Sequence, residues 1–460
     1  MNAKIRRISV WLLLACLFAG PVWAAQAHSA ILMIGDGMGA AHVEAAAAYA
    51  AFIGRDFALT DLMEQGRGGL VSTFSANSPI TDSAAAATAL ACGVKTNNGM
   101  LGVTPQGEPV RTVLEQCKQA GKKVGLITTT RITDATPAGF ASHVTSRGQQ
   151  EEIAAQLLAG GVDLLMGGGR GQFVPAGEGG VRKDGRNLLQ EAERAGYSLA
   201  IRPEDLKAVN GLPLLGLFAE SELGYTIDKP KDEPTLAEMT AKALELLPQE
   251  GNGFFLMVEG AMIDYGAHAN DLATMIGEAL AFDEAVRVAR EFVAAHPDTL
   301  LIVTADHETG GLTLTGRPNW EVVRQQPMSV EKAVRAWATL GKVPYQRLRA
   351  LQQMLGAELS VEQRARLLHA STDLEEMGGM LARMMSEPAG VSWSSHEHPA
   401  AWVPVVGIGP GSELLRAFQD NTDVSNLLRL ALGLALRRAA VPIVGVRVPL
   451  TSYRLQTAAE

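Results

Sequence analysis

Positive charge is scarce in this chain: 40 lysines and arginines face 49 aspartates and glutamates, for a formal net charge of −9. The basic footprint of a nucleic-acid binder is therefore missing, and no standing nucleic-acid partner is expected. Long apolar runs are missing too. The one at the N-terminus, Ile8 to Gly20, follows Lys4, Arg6 and Arg7 and ends in small residues around Ala24 to Ala27. It is shorter than the roughly 20 residues of a spanning helix and has the three-part layout of a secretory signal peptide, placed at residues 1–27. Lipidation at Cys16 is disfavoured because Leu17 and Phe18 continue the apolar run. A periplasmic or secreted protein without a membrane anchor is expected, and loss of the leader moves the charge from −9 to −12. Cysteine is rare, and only Cys92 and Cys117 lie beyond that leader. An exported compartment permits them to pair, and the sequence leaves the pairing open. Internal repeats and low-complexity linkers are absent as well.

What is present is glycine, 48 residues of it, together with short runs of Val, Ile and Leu. Ala30 to Ile34, Lys123 to Thr128, Asp163 to Met166, Phe254 to Val258, Thr299 to Thr304 and Val403 to Ile408 read as buried strands. Between them, Val110 to Ala120, Gln149 to Ala159, Leu236 to Leu247 and Leu272 to Ala294 have helical period, and a last helix is expected over Val424 to Arg438. This alternation predicts an α/β fold, a three-layer sandwich whose central, mostly parallel sheet is covered on both faces. Residues 28–460 form one catalytic domain in this reading. A helical insertion is expected at about 317–388, and residues 172–233 read as loops around one or two helices.

Acids and histidines cluster at the ends of the expected strands, where open α/β sheets collect ligands. Asp36 stands in a Gly-rich turn after the first strand; alone it reads as turn chemistry. Glu259 ends another strand, and Asp264 and His268 follow four residues apart, on one face if helical. Buried carboxylate and imidazole suit zinc, although an Asp–His hydrogen bond capping a turn would be the better reading if this were the only such pair. Asp306 and His307 follow the strand Thr299 to Thr304, and both can ligate only if the strand stops there. His396 and His398 offer one more imidazole between them. Thr81-Asp82-Ser83 opens an alanine-rich helix, at which either Asp82 or Ser83 is a fair N-cap and Ser83 a nucleophile only beside a metal. Arg147 has the planar fork that grips two phosphate oxygens.

Taken in order from residue 30 to about 423, these segments resemble the alkaline phosphatase family. The resemblance rests on the Gly35-Asp36-Gly37 turn, Asp82-Ser83-Ala84-Ala85, and Asp134-Ala135-Thr136-Pro137 with His143-Val144-Thr145-Ser146-Arg147. It continues through the Glu259 to Asp264 segment, Thr304-Ala305-Asp306-His307, the late histidine and Asp420 to Asp423. It implies hydrolysis of small phosphate monoesters through a phosphoserine at Ser83, with Arg147 binding phosphate. It further implies two zinc ions and one magnesium per chain. Asp264, His268 and His398 match the ligands of one zinc, and Asp36, Asp306 and His307 those of the second. Asp36 also bridges to magnesium, which Thr136 and Glu259 complete. A homodimer is common in the family.

Three positions depart from the pattern. Tyr265 stands where the best-known bacterial members carry a lysine that helps hold phosphate. His398 precedes Pro399-Ala400 instead of Thr-Gly, which leaves His396 as the alternative ligand. The cysteines do not follow the bacterial paired-disulfide pattern. A phosphodiesterase on the same scaffold and a non-catalytic secreted metal- or phosphate-binding protein are the alternative functions; a sulfatase is disfavoured because Ser83 is followed by alanines.

Overall fold

The computed structural model describes residues 26–228, 232–339, 344–356, 359–369 and 374–436. The expected signal peptide, save its last two residues, and the tail after residue 436 lie outside them. Twelve strands are formed among the described residues: β1 (Ser29–Gly35), β2 (Arg67–Ser72), β3 (Lys123–Arg131), β4 (Leu164–Gly168), β5 (Ser198–Ala200) and β6 (Leu214–Leu217), then β7 (Phe254–Gly260), β8 (Thr299–Ala305), β9 (Leu312–Leu314), β10 (Val391–Trp393), β11 (Val403–Ile408) and β12 (Phe418–Asp420). Ten of them build one sheet in the order β12-β2-β11-β8-β1-β7-β3-β4-β6-β5. Only β11 runs against its neighbours; every other adjacent pair is parallel.

The central strands β1, β7 and β8 are buried along their whole length, which is why they read as unbroken apolar runs and not as alternating ones. Helices flank them in two groups, one built around Leu272–Ala295 and another in which Ser83–Cys92 packs against Ala135–Ala141 and Asn421–Ala431. The alanines of Ser83–Cys92 have a packing reason. A Cβ added at Gly139 would stand 2.8 Å from that of Ala87, so the two helices meet almost backbone to backbone.

All six expected strands are present. The irregular stretch 172–233 has the expected helices, Leu188–Arg194 and Pro203–Ala208, and adds β5 and β6, too short to stand out as apolar runs. The last helix starts three residues before the expected Val424 and ends at Ala431, well short of the expected Arg438, because the chain turns at Leu432 and Gly433, the latter at φ +67°. Cys92 and Cys117 are both buried and form no disulfide. Between β9 and β10, which pair with each other, the described residues form five helices. Leu351, Leu355, Met377 and Leu381 there belong to an apolar cluster of their own, separate from the main core. Among the described residues no helix is long and apolar enough to cross a membrane.

Arg429, 1 % exposed, anchors the far end of the Ser83–Cys92 helix. Its guanidinium donates to the Ala91 and Arg111 carbonyls at 3.2 Å each, to Gln116 Oε1 at 2.8 Å and to Ser425. Arg429→Met is expected to strip these buried acceptors of their donor and lower the unfolding free energy by about 3 kcal/mol. Denaturant unfolding measures this, and an unchanged midpoint would show that the carbonyls find other partners.

Candidate active site

Register brings the acids together. Gly35 at the end of β1 lies opposite Gly260 of β7 on one side and Ala305 of β8 on the other. Asp36, Glu259 and Asp306 are therefore neighbours at one end of the sheet. β8 stops at Ala305, which frees Asp306 and His307 from strand alternation. The turn at Gly37 needs glycine: φ is +69°, and a Cβ would come within 2.8 Å of Asp264 Oδ1 and Thr309 Oγ1. Its N–H donates to Asp306 Oδ1 at 3.1 Å.

The helix Met262–His268 carries Asp264 and His268 one turn apart. His398 precedes β11. Because that strand runs in the opposite sense, with Val405 opposite Thr304, its start lies at the carboxyl end of β8, and His398 reaches the site from the other direction. Two sets of ligand atoms result, Asp264 with His268 and His398, and Asp36 with Asp306 and His307, each within 4.8 Å of one another. The rings of His307 and His398 stack at 3.6 Å and join the two sets. His396 joins neither set; its Nδ1 faces the His268 carbonyl at 2.7 Å.

Hydrogen bonds fix which nitrogen of each ring is free. His268 Nδ1 meets the His396 carbonyl, and His398 Nδ1 meets the Thr81 carbonyl at 2.9 Å. A carbonyl only accepts, so each Nδ1 donates and each Nε2 keeps its lone pair. Those two Nε2 atoms lie 3.0 Å apart, with Asp264 oxygens 3.4 Å from His268 Nε2 and 3.6 Å from His398 Nε2. Thr309 Oγ1 gives its proton to Asp264 and so accepts from His307 Nδ1 at 3.4 Å. His307 Nε2 then faces Asp306 Oδ2 at 3.1 Å and Asp36 Oδ1 at 3.4 Å. Both of these oxygens are buried without a hydrogen-bond partner. Converging lone pairs and carboxylates repel unless a cation lies among them, so both sets fit divalent metal.

Glu259 accepts from Thr128 Oγ1, while Thr136 Oγ1, on the helix Ala135–Ala141, is buried with no partner. Burial pushes the Glu259 carboxyl up to about 8. Burial, and then the charges of Asp306, Asp264 and Glu259, holds Asp36 well above the usual carboxylate range. His307 is driven well below the ordinary imidazole value by burial and by His398.

Ser83 is the first residue of its helix, and Asp82 is the N-cap, accepting from the Ala85 N–H at 3.0 Å. Ser83 Oγ lies 3.2 Å from His307 Nε2, directly against the second ligand set, beside helix N–H groups that have no partner within the helix. Arg147 spans Asp134, at 3.0 Å, and Asp82, at 3.5 Å, which places its guanidinium next to the Ser83 turn. Asp134, Asp82 and Thr309 were given no part in the site by sequence reasoning. Asp82 and Asp134 adjoin Ser83 and Thr136 in their motifs, which was the available signal; Thr309 carried none.

A family model described as "Alkaline phosphatase" matches residues 27–434. The chain belongs to the alkaline phosphatase family. Alkaline phosphatase 4 of Bacillus subtilis is 34% identical over 427 residues, 88% of each chain. Streptomycin-6-phosphate phosphatase of Streptomyces griseus is 32% identical, over 89% of this chain and 91% of its own. The alkaline phosphatase of Thermus thermophilus superimposes with a TM-score of 0.83 at 33% identity, covering 91% of this chain and 93% of that one. As a member of the family the chain is a phosphoric monoester hydrolase, which sets aside the non-catalytic alternative.

The raised carboxyls set a pH dependence for the metal-free enzyme. Glu259 ionises near 4.5 when unfolded and at about 8 when folded. The folded chain thus holds the extra proton between those values, and the stability present below 4.5 is lost as pH rises towards 8. His307 acts oppositely, but only below its unfolded value of 6.5. From pH 6.5 to 8, metal-free protein is expected to lose stability, by at most about 1.4 kcal/mol per pH unit for each such group. Metal-loaded protein, its protons displaced by the cations, should lack this slope. Melting temperatures at the two pH values, with and without metal, provide the measurement; parallel pH profiles would refute the account.

Proposed function

We propose that this alkaline phosphatase hydrolyses phosphate monoesters by way of a phosphoserine at Ser83. In this reading Asp264, His268 and His398 hold one zinc ion, and Asp36, Asp306 and His307 hold a second. Thr136 and Glu259, with Asp36, hold a magnesium ion. The observation that carries it is the 3.2 Å approach of Ser83 Oγ to His307 Nε2 within the second ligand set. The buried, unpartnered oxygens of Asp36, Asp306 and Thr136 support the metal assignment. When bound, these cations supply Lewis acidity, lowering the pKa of oxygen nucleophiles and stabilising a departing alkoxide.

The chain's own groups account for the rest. Ser83 Oγ bonds to phosphorus as the ester P–O bond breaks and the alcohol leaves; water then cleaves the phosphoserine, restoring the hydroxyl and releasing inorganic phosphate. Arg147 presents two parallel N–H donors to the non-bridging oxygens, and the first turn of Ser83–Cys92 adds backbone donors to the same charge. Asp82 and Asp134 hold the guanidinium in place before substrate arrives. Tyr265 hydroxyl donates to Asp134 Oδ2 at 3.2 Å, so the residue at the lysine position acts on phosphate through the partner of Arg147. We read residues 1–27 as an export leader on the sequence pattern alone.

Elemental analysis of purified protein is expected to return two zinc and one magnesium per chain. Aryl phosphate turnover should vanish on chelation and return when both metals are restored. Ser83→Ala should leave metal content unchanged, form no phosphoenzyme and slow turnover by more than about 10³-fold. Undiminished turnover in that variant would sink the assignment, and preference for bis-aryl over mono-aryl phosphates would favour the diesterase.

A further inference from the structure

His396 lies two residues from His398 yet points away from both ligand sets, and its hydrogen bonds are fully determined. Arg383 Nη1 at 3.0 Å and Asn270 Nδ2 at 3.2 Å both approach its Nε2. A guanidinium only donates, so Nε2 accepts and Nδ1 carries the proton, which it gives to the His268 carbonyl at 2.7 Å. His268 returns the bond, its own Nδ1 donating to the His396 carbonyl. The two histidines are therefore stapled ring to backbone in both directions. The staple sets the His268 ring with Nε2 towards Asp264 and His398.

The far side of the staple is held by the helix Leu374–Ser386. It supplies Arg383 to His396, and its last residue, Ser386, donates to the Asn270 carbonyl at 3.1 Å. Asn270 itself follows His268 closely and adopts the left-handed region at φ +55°, a conformation that neighbouring contacts must maintain. Gly379 of the same helix leaves room for the ring: a Cβ there would sit 3.1 Å from His396 Cε1.

From this geometry we infer that His396 is a positioning residue for the zinc site of Asp264, His268 and His398. Through Arg383, the helical segment between β9 and β10 sets how tightly that site holds its metal. The inference rests on the metal reading above. It gives the segment a part in the chemistry without any group touching substrate, and it separates the two sites, since the His396 and Arg383 bonds described here lead to His268 and none of them leads to Asp36, Asp306 or His307.

The test is a chelator titration of zinc-loaded full-length enzyme, following zinc release per chain. Arg383→Met and His396→Leu are expected to release one of the two zinc ions at about 10–100-fold lower chelator concentration, with the second unchanged. His396→Asn, whose amide can still donate to the His268 carbonyl, should recover most of the loss. Arg383 lies on an exposed helical surface, so its variant decides the matter even if His396→Leu fails to fold. Release curves that superimpose on wild type, or loss of both ions together with a lower melting temperature of the metal-free chain, would overturn the inference. Wild-type protein that takes up no zinc at all would instead overturn the metal assignment beneath it.

Discussion

Everything at this site follows from mutual repulsion among carboxylates that the sheet forces into proximity. β1 lies between β7 and β8 in register, so the residues at and just after the three strand ends cannot avoid one another. Asp36, Glu259 and Asp306 are at most 6 % exposed, and in a water-poor setting three such charges are sustainable only beside compensating cations. The fold is thus organised to be electrostatically unfinished, and the free imidazole lone pairs of His268, His307 and His398 face the same gap. Arg147 does not close that gap, because Asp134 and Asp82 already engage its guanidinium.

Precision at such a centre comes from the groups behind the ligands. Each ring of the two candidate sets has its Nδ1 tied to an oxygen: a backbone carbonyl for His268 and His398, the Thr309 hydroxyl for His307. The tautomer is therefore chosen by the fold before any ion arrives. Two of these ties cross long stretches of sequence, from His398 to Thr81 and from His268 to His396, so ring orientation reports on the assembled tertiary structure and not on local conformation.

The legible part of this arrangement was the part written in contiguous residues. Strands buried inside the sheet are apolar along most of their length, whichever way they run, so β1, β3, β4, β7, β8 and β11 could be read directly, and with them the acids at their ends. β2 could not. Arg67-Gly68-Gly69-Leu70-Val71-Ser72 has no strand-like pattern of its own, and it is a strand because β11 and β12 pair with it. Ser83 and Arg147 were visible only through the order of motifs, since a serine at a helix start and an arginine near another are each unremarkable alone. The part of Thr309 depends on its side-chain contact with Asp264, 45 residues away, which spacing does not encode.

The reversed direction of β11 carries an implication for how the molecule is assembled. β2 appears early in the chain, yet its two partners in the sheet, β11 and β12, lie more than three hundred residues further on. Until they arrive, one flank of the sheet stays open, and the imidazole of His398, which enters with β11, is missing from its ligand set. Pairings this distant are slow to form because loop closure must precede any gain from contact. The set that includes His398 is complete only once β11 has joined β8, so its three candidate donors come together with the closing of that flank.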